Sequence, residues 1–190
     1  MEMTINEHGF WDGVDMSQHL YDTPLAQSIL HLIIQNQWID VIDIGCGTGY
    51  YTKLLQDNGI PCDAYDGNPN TPEISHNIGR VADFAVPQYR EKKDLVLCLE
   101  VGEHIPKEFE QTFLYNITSH AKKAIILSWA LPGQDGFGHV NCQTNDYIVD
   151  EIEKRGFRYN FNNTTFLRAR TYRSWFKRTT LVFDYDNSNN

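Results

Sequence analysis

Val41-Ile-Asp-Ile-Gly-Cys-Gly-Thr-Gly49 is the most informative segment of the sequence. Its first four residues form a short apolar run, which predicts a buried strand at Val41–Ile44. The three glycines that follow let the backbone turn sharply and lie close to a ligand, because no Cβ stands in the way. Residues 48–58 then predict a helix that ends at Gly59. The free N–H groups at the start of that helix point at the same place, so the stretch predicts a cofactor site.

The glycine spacing argues against a dinucleotide cofactor. A Gly-x-Gly-x-x-Gly fingerprint would place its third glycine at position 50, where this chain has Tyr50. Asp43, within the strand, is also out of place for binding a pyrophosphate. A carboxylate there suits a cofactor that carries an ammonium group and a sulfonium.

The rest of the chain alternates strands and helices. Further strands are predicted at Cys62–Asp66, 94–99, 124–129 and 179–185, and further helices at 20–37 and 144–155. Strands separated by helices of roughly 10–15 residues indicate β-α-β crossovers and a parallel sheet. In such sheets ligands bind at the carboxyl ends of the strands, which is where the glycine loop lies.

Length and composition predict a single α/β domain over residues 1–186, in which residues 1–38 form a lid and a first helix. Residues 187–190 are predicted to be a disordered tail. The net charge of -9 disfavours a nucleic-acid partner, which would require a basic face. No signal peptide or membrane span is recognisable, and the four cysteines are interpreted as reduced thiols. We therefore expect a cytoplasmic monomer or homodimer.

Two further acids follow predicted strands. Asp66, with Gly67 and Asn68, ends the second strand 19 residues beyond Gly47, where a carboxylate can bind two ribose hydroxyls. Asp83 is predicted to face the adenine amino group of a nucleoside. Phe84 would then lie near the face of the base. The alternative is that Asp66 is a turn residue and Asp83 a helix cap.

The Asp-Ile-Gly-Cys-Gly-Thr-Gly loop, the acid at 66 and Cys98-Leu-Glu-Val-Gly-Glu-His104 together resemble class I S-adenosylmethionine (SAM)-dependent methyltransferases, over residues 40–185. The resemblance implies a Rossmann-like, seven-stranded, mostly parallel sheet with helices on both faces and an antiparallel last strand. It also implies SAM as the cofactor. The methionine part would contact the first strand and the loops after it, at Asp43, Gly45, Cys46, Gly47, Gly49 and Glu100.

Shorter stretches are similar to a narrower group, the small stand-alone methyltransferases of bacteria and large DNA viruses. These stretches are Phe10-Trp-Asp-Gly13, Asp66-Gly-Asn-Pro-Asn-Thr71, Leu99-Glu-Val-Gly-Glu-His-Ile-Pro106, Ser128-Trp-Ala-Leu-Pro-Gly-Gln134 and Gly138-His-Val-Asn141. Some members are associated with methylating sugars on glycans. The resemblance implies O-methylation of a small acceptor or glycan terminus, in the host cytoplasm if the protein is viral.

Two loops carry groups that could remove the acceptor's proton. One is Glu100-Val-Gly-Glu103-His104, and the other contains His139. In a metal-free mechanism, His104 or His139 is the general base and Glu103 orients it. Alternatively, Glu100, Glu103, His104 and His139 bind Mg²⁺, Mn²⁺ or Zn²⁺. That pattern resembles metal-dependent methyltransferases acting on small-RNA 3′ ends or polyprenyl quinols. The loop could also be a plain helix start.

Two other functions stay open: an RNA ribose methyltransferase, and a SAM-binding partner without transfer activity. The first would use a basic run near the end of the chain, in which arginines and a lysine alternate with aromatic residues: Arg168, Arg170, Tyr172, Arg173, Trp175, Phe176, Lys177 and Arg178. A solvated helix face beside core aromatics is the favoured interpretation. Phe10 and Trp11 are expected to cover the cofactor or acceptor, and His19 is a weak catalytic candidate.

Overall fold

A computed structural model of the chain describes residues 3–15, 17 and 19–186. The predicted tail at 187–190 lies outside these residues. The strands are β1 (Thr4–Ile5), β2 (Trp11–Asp12), β3 (Val41–Ile44), β4 (Cys62–Asp66), β5 (Gly79–Val81), β6 (Lys93–Leu99), β7 (Ala121–Ser128), β8 (Phe157–Tyr159) and β9 (Thr180–Tyr185). The helices are α1 (Thr23–Gln35), α2 (Tyr50–Asp57), α3 (Thr71–Ile74), α4 (Glu110–His120), α5 (Asn145–Glu153), α6 (Phe161–Arg170) and α7 (Phe176–Thr179). Two 3-10 helices span Gly102–His104 and Lys107–Phe109.

Seven strands form one sheet in the order β5-β4-β3-β6-β7-β9-β8. All neighbouring pairs are parallel except those of β9, which runs antiparallel to both β7 and β8. Apolar side chains cover both faces of the sheet in two separate clusters. The predicted seven-stranded, mostly parallel sheet with an antiparallel last strand is therefore confirmed.

Several predicted elements are shorter in the structure, and some were missed. The first helix begins at Thr23 rather than residue 20, because the Asp22 side chain accepts the Leu25 N–H at 2.8 Å and caps it. The helix predicted over 144–155 spans Asn145–Glu153, because Thr144 is its N-cap. β5 and β8 have three residues each, which is too short for a periodic pattern to show. α6 was not predicted, because only two of its residues, Thr164 and Leu167, are buried and its sequence shows no clear apolar stripe.

Asp22 also connects the two ends of the described chain. Its second carboxylate oxygen accepts hydrogen bonds from the Thr171 hydroxyl at 2.6 Å, the Tyr172 N–H at 2.7 Å and the Arg173 N–H at 2.6 Å. Arg173 in turn donates from Nε to the Tyr21 carbonyl at 2.6 Å. We call these contacts the Asp22 anchor. They hold the entry to α1 against the loop that precedes α7.

Among residues 3–15, 17 and 19–186, no helix is both long and apolar enough to cross a bilayer. All four cysteines are free, as predicted, and three of them are buried. Phe176 is 2% exposed and belongs to the core, whereas Trp175 is only half-buried. The prediction that both are core residues is thus correct for Phe176 alone.

Candidate active site

A cavity of about 350 Å³ opens at the carboxyl ends of β3, β4 and β6. Its walls include ten of the eleven predicted cofactor residues, which are Asp43, Gly45, Cys46, Gly47, Asp66, Gly67, Asn68, Asp83, Phe84 and Glu100. Gly49 is the exception, because it lies behind the loop as the N-cap of α2. His104 and His139 line the same cavity. One space therefore joins the predicted cofactor residues and the two histidines, whereas the fully buried Glu103 is not among its lining residues.

The glycine loop is held open by backbone contacts to the neighbouring strand. The N–H groups of Gly45 and Cys46 both donate to the Tyr65 carbonyl, at 2.7 and 3.0 Å. Gly45 and Gly47 have positive φ angles of 80° and 50°, which favour glycine. A Cβ on Gly45 would lie 2.2 Å from Val101 Cγ2. The loop thus combines a left-handed backbone with close packing.

Gly45→Ala is expected to destabilise the protein more than Gly59→Ala. Both glycines have φ near 80°, so both substitutions incur the same left-handed strain, about 1–2 kcal/mol. Only Gly45 has a neighbour in the way, since nothing lies within 4 Å of a Cβ on Gly59. The clash should add about 1–3 kcal/mol. Urea unfolding measures the two free energies, and equal losses would contradict the packing argument.

Asp66 organises the loop as well as the cavity. One carboxylate oxygen accepts the Gly47 N–H and the other accepts the Asn68 N–H, each at 2.9 Å. A carboxylate oxygen has two lone pairs, so each retains capacity for a ligand hydroxyl. The Asn68 side chain donates to the Gly13 carbonyl at 2.9 Å, which ties the N-terminal segment to this wall.

Asp43 is buried at the base of the cavity. The Thr52 hydroxyl donates to its carboxyl at 2.6 Å. Burial raises the pKa of Asp43 to about 7, and the charge of Asp66 acts in the same direction while the Thr52 hydrogen bond opposes them. Asp43 is therefore a proton-sensitive group next to the predicted cofactor loop.

Asp83 and Phe84 lie in the wall beside Asp66. Asp83 accepts the Ala85 N–H at 2.8 Å and its other oxygen contacts His8 Nδ1. Phe84 is 5% exposed and packs against the Tyr65 ring. The role of this pair towards an adenine stays a prediction. The His8 contact carried no sequence signal, because 75 residues separate the partners.

Glu103, His104 and His139 come together at the other end of the cavity. Each offers one ligand atom, and these atoms lie within 4.8 Å of one another. Glu103 is fully buried, and neither carboxylate oxygen has a hydrogen-bond partner. Burial raises its pKa well above the usual range, and the nearby charge of Glu100 adds to the effect.

The two histidines are oriented by backbone carbonyls. His104 Nδ1 lies 3.2 Å from the Gly138 carbonyl, and His139 Nδ1 lies 2.9 Å from the Gln134 carbonyl. A carbonyl only accepts, so Nδ1 is the donor in both rings, and in a neutral ring Nε2 is then unprotonated. Burial, with the neighbouring His139, lowers the pKa of His104 to about 4, so this ring is neutral at physiological pH.

Two predictions about this group need correction. Glu103 does not orient His139 through a hydrogen bond, because its Oε1 lies 3.9 Å from Nε2 and the Gln134 carbonyl holds the other nitrogen. Glu100 does not belong to the compact cluster. Its oxygens accept hydrogen bonds from the Gln134 side chain at 2.8 Å and the Thr179 hydroxyl at 3.1 Å. Gln134, which the sequence did not single out, thus positions both loops.

The segment before α1 covers the cavity. The Trp11 ring contacts the rings of His19, His104 and Phe137 edge-on, with centroids 5.0, 5.2 and 6.0 Å apart. Phe10 packs so closely on Gly67 that a Cβ there would lie 2.6 Å from its ring. Phe10 and Trp11 both line the cavity, and their role in covering the cofactor or acceptor stays a prediction. His19 lines the cavity against Gly47.

Comparison with known proteins places these features in a family. A methyltransferase domain model matches residues 17–181. No curated protein sequence matches the chain significantly. Similar solved structures include a SAM-dependent methyltransferase from Clostridium acetobutylicum ATCC 824, with 12% identity, a TM-score of 0.67 and coverage of 88% of this chain and 93% of that one.

Two further structures carry a cofactor or its product. Magnesium protoporphyrin IX methyltransferase from Synechocystis PCC 6803, with bound SAH, has 18% identity and a TM-score of 0.63. The match covers 84% of this chain and 80% of that one. A SAM-bound amino pentose methyltransferase from Micromonospora echinaspora has 13% identity and a TM-score of 0.66. The match covers 84% of this chain and 89% of that one. At these identities the likeness concerns the fold. Since the family model spans most of the chain, this protein belongs to the methyltransferase domain family.

Proposed function

We propose that this chain transfers a methyl group from SAM to a sugar hydroxyl, and that Glu103, His104 and His139 activate that hydroxyl. The family assignment supports the reaction type, and the amino pentose methyltransferase shows that a similar fold accommodates a sugar. The single observation that carries the acceptor side is the Glu103 carboxylate, buried and without a hydrogen-bond partner beside the imidazoles of His104 and His139.

We infer one orientation of the cofactor in the cavity. The methionine ammonium would lie near Asp43 and the glycine loop, and the ribose hydroxyls would donate to Asp66, whose oxygens keep free lone pairs. The adenine would lie between Asp83 and Phe84. In this orientation the sulfonium faces the end of the cavity that His104 and His139 line.

SAM affinity is expected to rise with pH up to about 7 and then level. Because the folded pKa of Asp43 lies above its ordinary value, the carboxyl is protonated below pH 7, and binding a cation beside it must release that proton. Affinity should therefore fall by up to about tenfold per pH unit below 7. The same shift makes the cofactor-free protein less stable as pH rises from about 4 to 7.

The control is Asp43→Asn, which retains the shape and the Thr52 contact but cannot ionise. Calorimetric titration of both proteins with SAM between pH 5.5 and 8.5 isolates Asp43, because proton changes on SAM itself cancel in the difference. If the SAM affinity of the two proteins changed with pH in the same way, Asp43 would not belong to the cofactor site.

The acceptor-side cluster fits a divalent cation better than a metal-free base. Histidines that bind metals usually donate their other nitrogen to a carbonyl, as His104 and His139 do here. A cation would also stabilise the ionised form of Glu103, which burial alone disfavours. Two imidazoles and one carboxylate suit Zn²⁺ or Mn²⁺ more than Mg²⁺, which prefers oxygen ligands. When bound, such an ion would lower the pKa of the acceptor hydroxyl.

The protein's own contribution is alignment. Methyl transfer from a sulfonium is an in-line displacement, so the donor methyl and the acceptor oxygen must be held in contact along one axis. Trp11 packs edge-on against both His104 and Phe137, so aromatic rings line this end of the cavity. The carbonyls of Gln134 and Gly138 fix the imidazoles that face the acceptor.

Label transfer from methyl-labelled SAM to simple glycosides, phenols and short RNAs tests the proposal, each with and without chelator. We expect label on a sugar hydroxyl, lost with chelator and restored by Zn²⁺ or Mn²⁺. If a glycoside were labelled equally well with and without chelator, His104 or His139 would remove the proton of the acceptor hydroxyl without a metal. Label on phenols alone would overturn the sugar acceptor. Bound SAM with no label on any acceptor would indicate a binding partner without transfer activity.

A further inference from the structure

We propose that the acceptor sugar carries a phosphate group, and that a cationic rim formed by Arg173, Lys177 and Arg178 binds it at the mouth of the cavity. The inference rests on the proposed function, because it specifies the acceptor of the same site. It uses a feature that the cofactor and the Glu103 cluster leave unexplained. The rim is the last part of the basic run, beyond the end of α6.

The charges of the rim are unpaired. Of the 16 lysines and arginines, eight form an ion pair with an acid among the described residues. Of the eight lysines and arginines without such an ion pair, five lie between positions 168 and 178. Lys177 and Arg178 are exposed. In a chain with a net charge of -9, a run of cations whose side chains form no ion pair among the described residues is a local exception that favours an anionic ligand.

The helix turn that carries the rim also lines the active site. The N–H groups of Arg178 and Thr179 both donate to the Trp175 carbonyl, at 2.8 and 2.9 Å. Residues 175, 178 and 179 therefore share one side of the turn. Trp175 lines the cavity, and Thr179 donates to Glu100 at 3.1 Å. Arg178 thus begins on the side of α7 that faces the site, while its side chain is exposed.

The surroundings of the rim suit a phosphorylated sugar. The Arg173 guanidinium lies 5.0 Å from the Trp175 ring centroid, which holds a cation beside the cavity wall. Tyr172 is 80% exposed and offers a face on which a sugar or base can stack, whereas the Tyr21 ring stacks on Tyr50 with centroids 3.8 Å apart. Asp135 is the exposed acid of the cavity wall, and it forms no ion pair with any residue of the rim within the described part of the chain.

A matched pair of double variants tests the rim. Lys177→Ala/Arg178→Ala removes two exposed charges from it. Lys92→Ala/Lys122→Ala removes two exposed, unpaired charges next to the amino ends of β6 and β7, at the opposite edge of the sheet. Both variants change the net charge equally. Calorimetric titration of the holoenzyme with ribose 5-phosphate, ribose and a single-stranded hexaribonucleotide measures binding without turnover.

We expect wild type and the Lys92/Lys122 variant to bind ribose 5-phosphate about tenfold or more tightly than ribose, and the Lys177/Arg178 variant to lose that preference. The preference should also shrink as salt is raised. A hexaribonucleotide that binds more tightly than ribose 5-phosphate would identify a nucleic-acid end as the source of the phosphate, and equal binding would identify a free sugar phosphate.

Equal binding of ribose and ribose 5-phosphate, or equal loss in both double variants, would overturn the proposal. Failure of the proposed function would look different. It would leave phosphate binding at the rim intact while no sugar accepted label from SAM.

Discussion

Glu103→Gln is expected to abolish most methyl transfer, with kcat about 10²–10⁴-fold lower, while SAM binding stays unchanged. The amide has the shape of the carboxyl but cannot become a charged ligand or accept a proton. Because the Glu103 carboxylate has no hydrogen-bond partner and Glu103 is not among the residues that line the cavity, its replacement should not disturb the loop at Gly47. Single-turnover methyl transfer and SAM titration measure the two effects separately.

The same substitution should stabilise the chelator-treated protein at neutral pH. The folded pKa of Glu103 is raised, so the protonated form is favoured in the folded state, and stability declines as pH rises above the ordinary value near 4.5. Glutamine removes that decline, and the melting temperature at pH 8 should increase. Glu108→Gln, at an exposed position five residues on, is the control and should change neither quantity. A less stable Glu103→Gln protein would indicate a structural role instead.

Asp66→Asn is expected to weaken SAM and SAH binding equally, by about 10–100-fold. The amide keeps one acceptor oxygen for a loop N–H but loses the charge and the second acceptor, so ribose hydroxyls lose their partner. Since both ligands carry the same ribose, a loss confined to SAM would contradict this position for the nucleoside.

Asp63→Asn is the matched control for Asp66. It lies on the same strand, β4, and pairs with Lys93 at 3.2 Å on the side away from the cavity wall. We expect its SAM affinity to equal that of wild type. Equal weakening in both variants would show that strand charge, rather than the hydroxyl contacts of Asp66, determines affinity.

Sequence reasoning was most successful where chemistry follows chain order. The glycine loop and Asp66 lie one crossover apart in neighbouring parallel strands, so their spacing alone predicts that they meet. The apolar runs of β3, β6 and β7 are long enough to be recognised. The short strands β5 and β8 carry too few residues to show a period of two.

The acceptor side was predicted only in part. His104 and His139 were named from their loops, but the sequence could not show that Gln134 would hold both His139 and Glu100. Nor could it separate Glu100 from the cluster, because Glu100 and Glu103 are equivalent in the pattern. Their difference arises from a left-handed backbone at Glu100, φ 53°, which turns its side chain towards Thr179.

The Asp22 anchor has a consequence for biosynthesis. Its partners at 171–173 emerge from the ribosome some 150 residues after Asp22 itself. Contacts between such distant positions form slowly, because a long loop must close before they contribute any stability. The glycine loop and its strands can assemble on a nascent chain, whereas the anchor must await the synthesis of residues 171–173. We therefore expect the entry to α1 to be fixed after the glycine loop has folded.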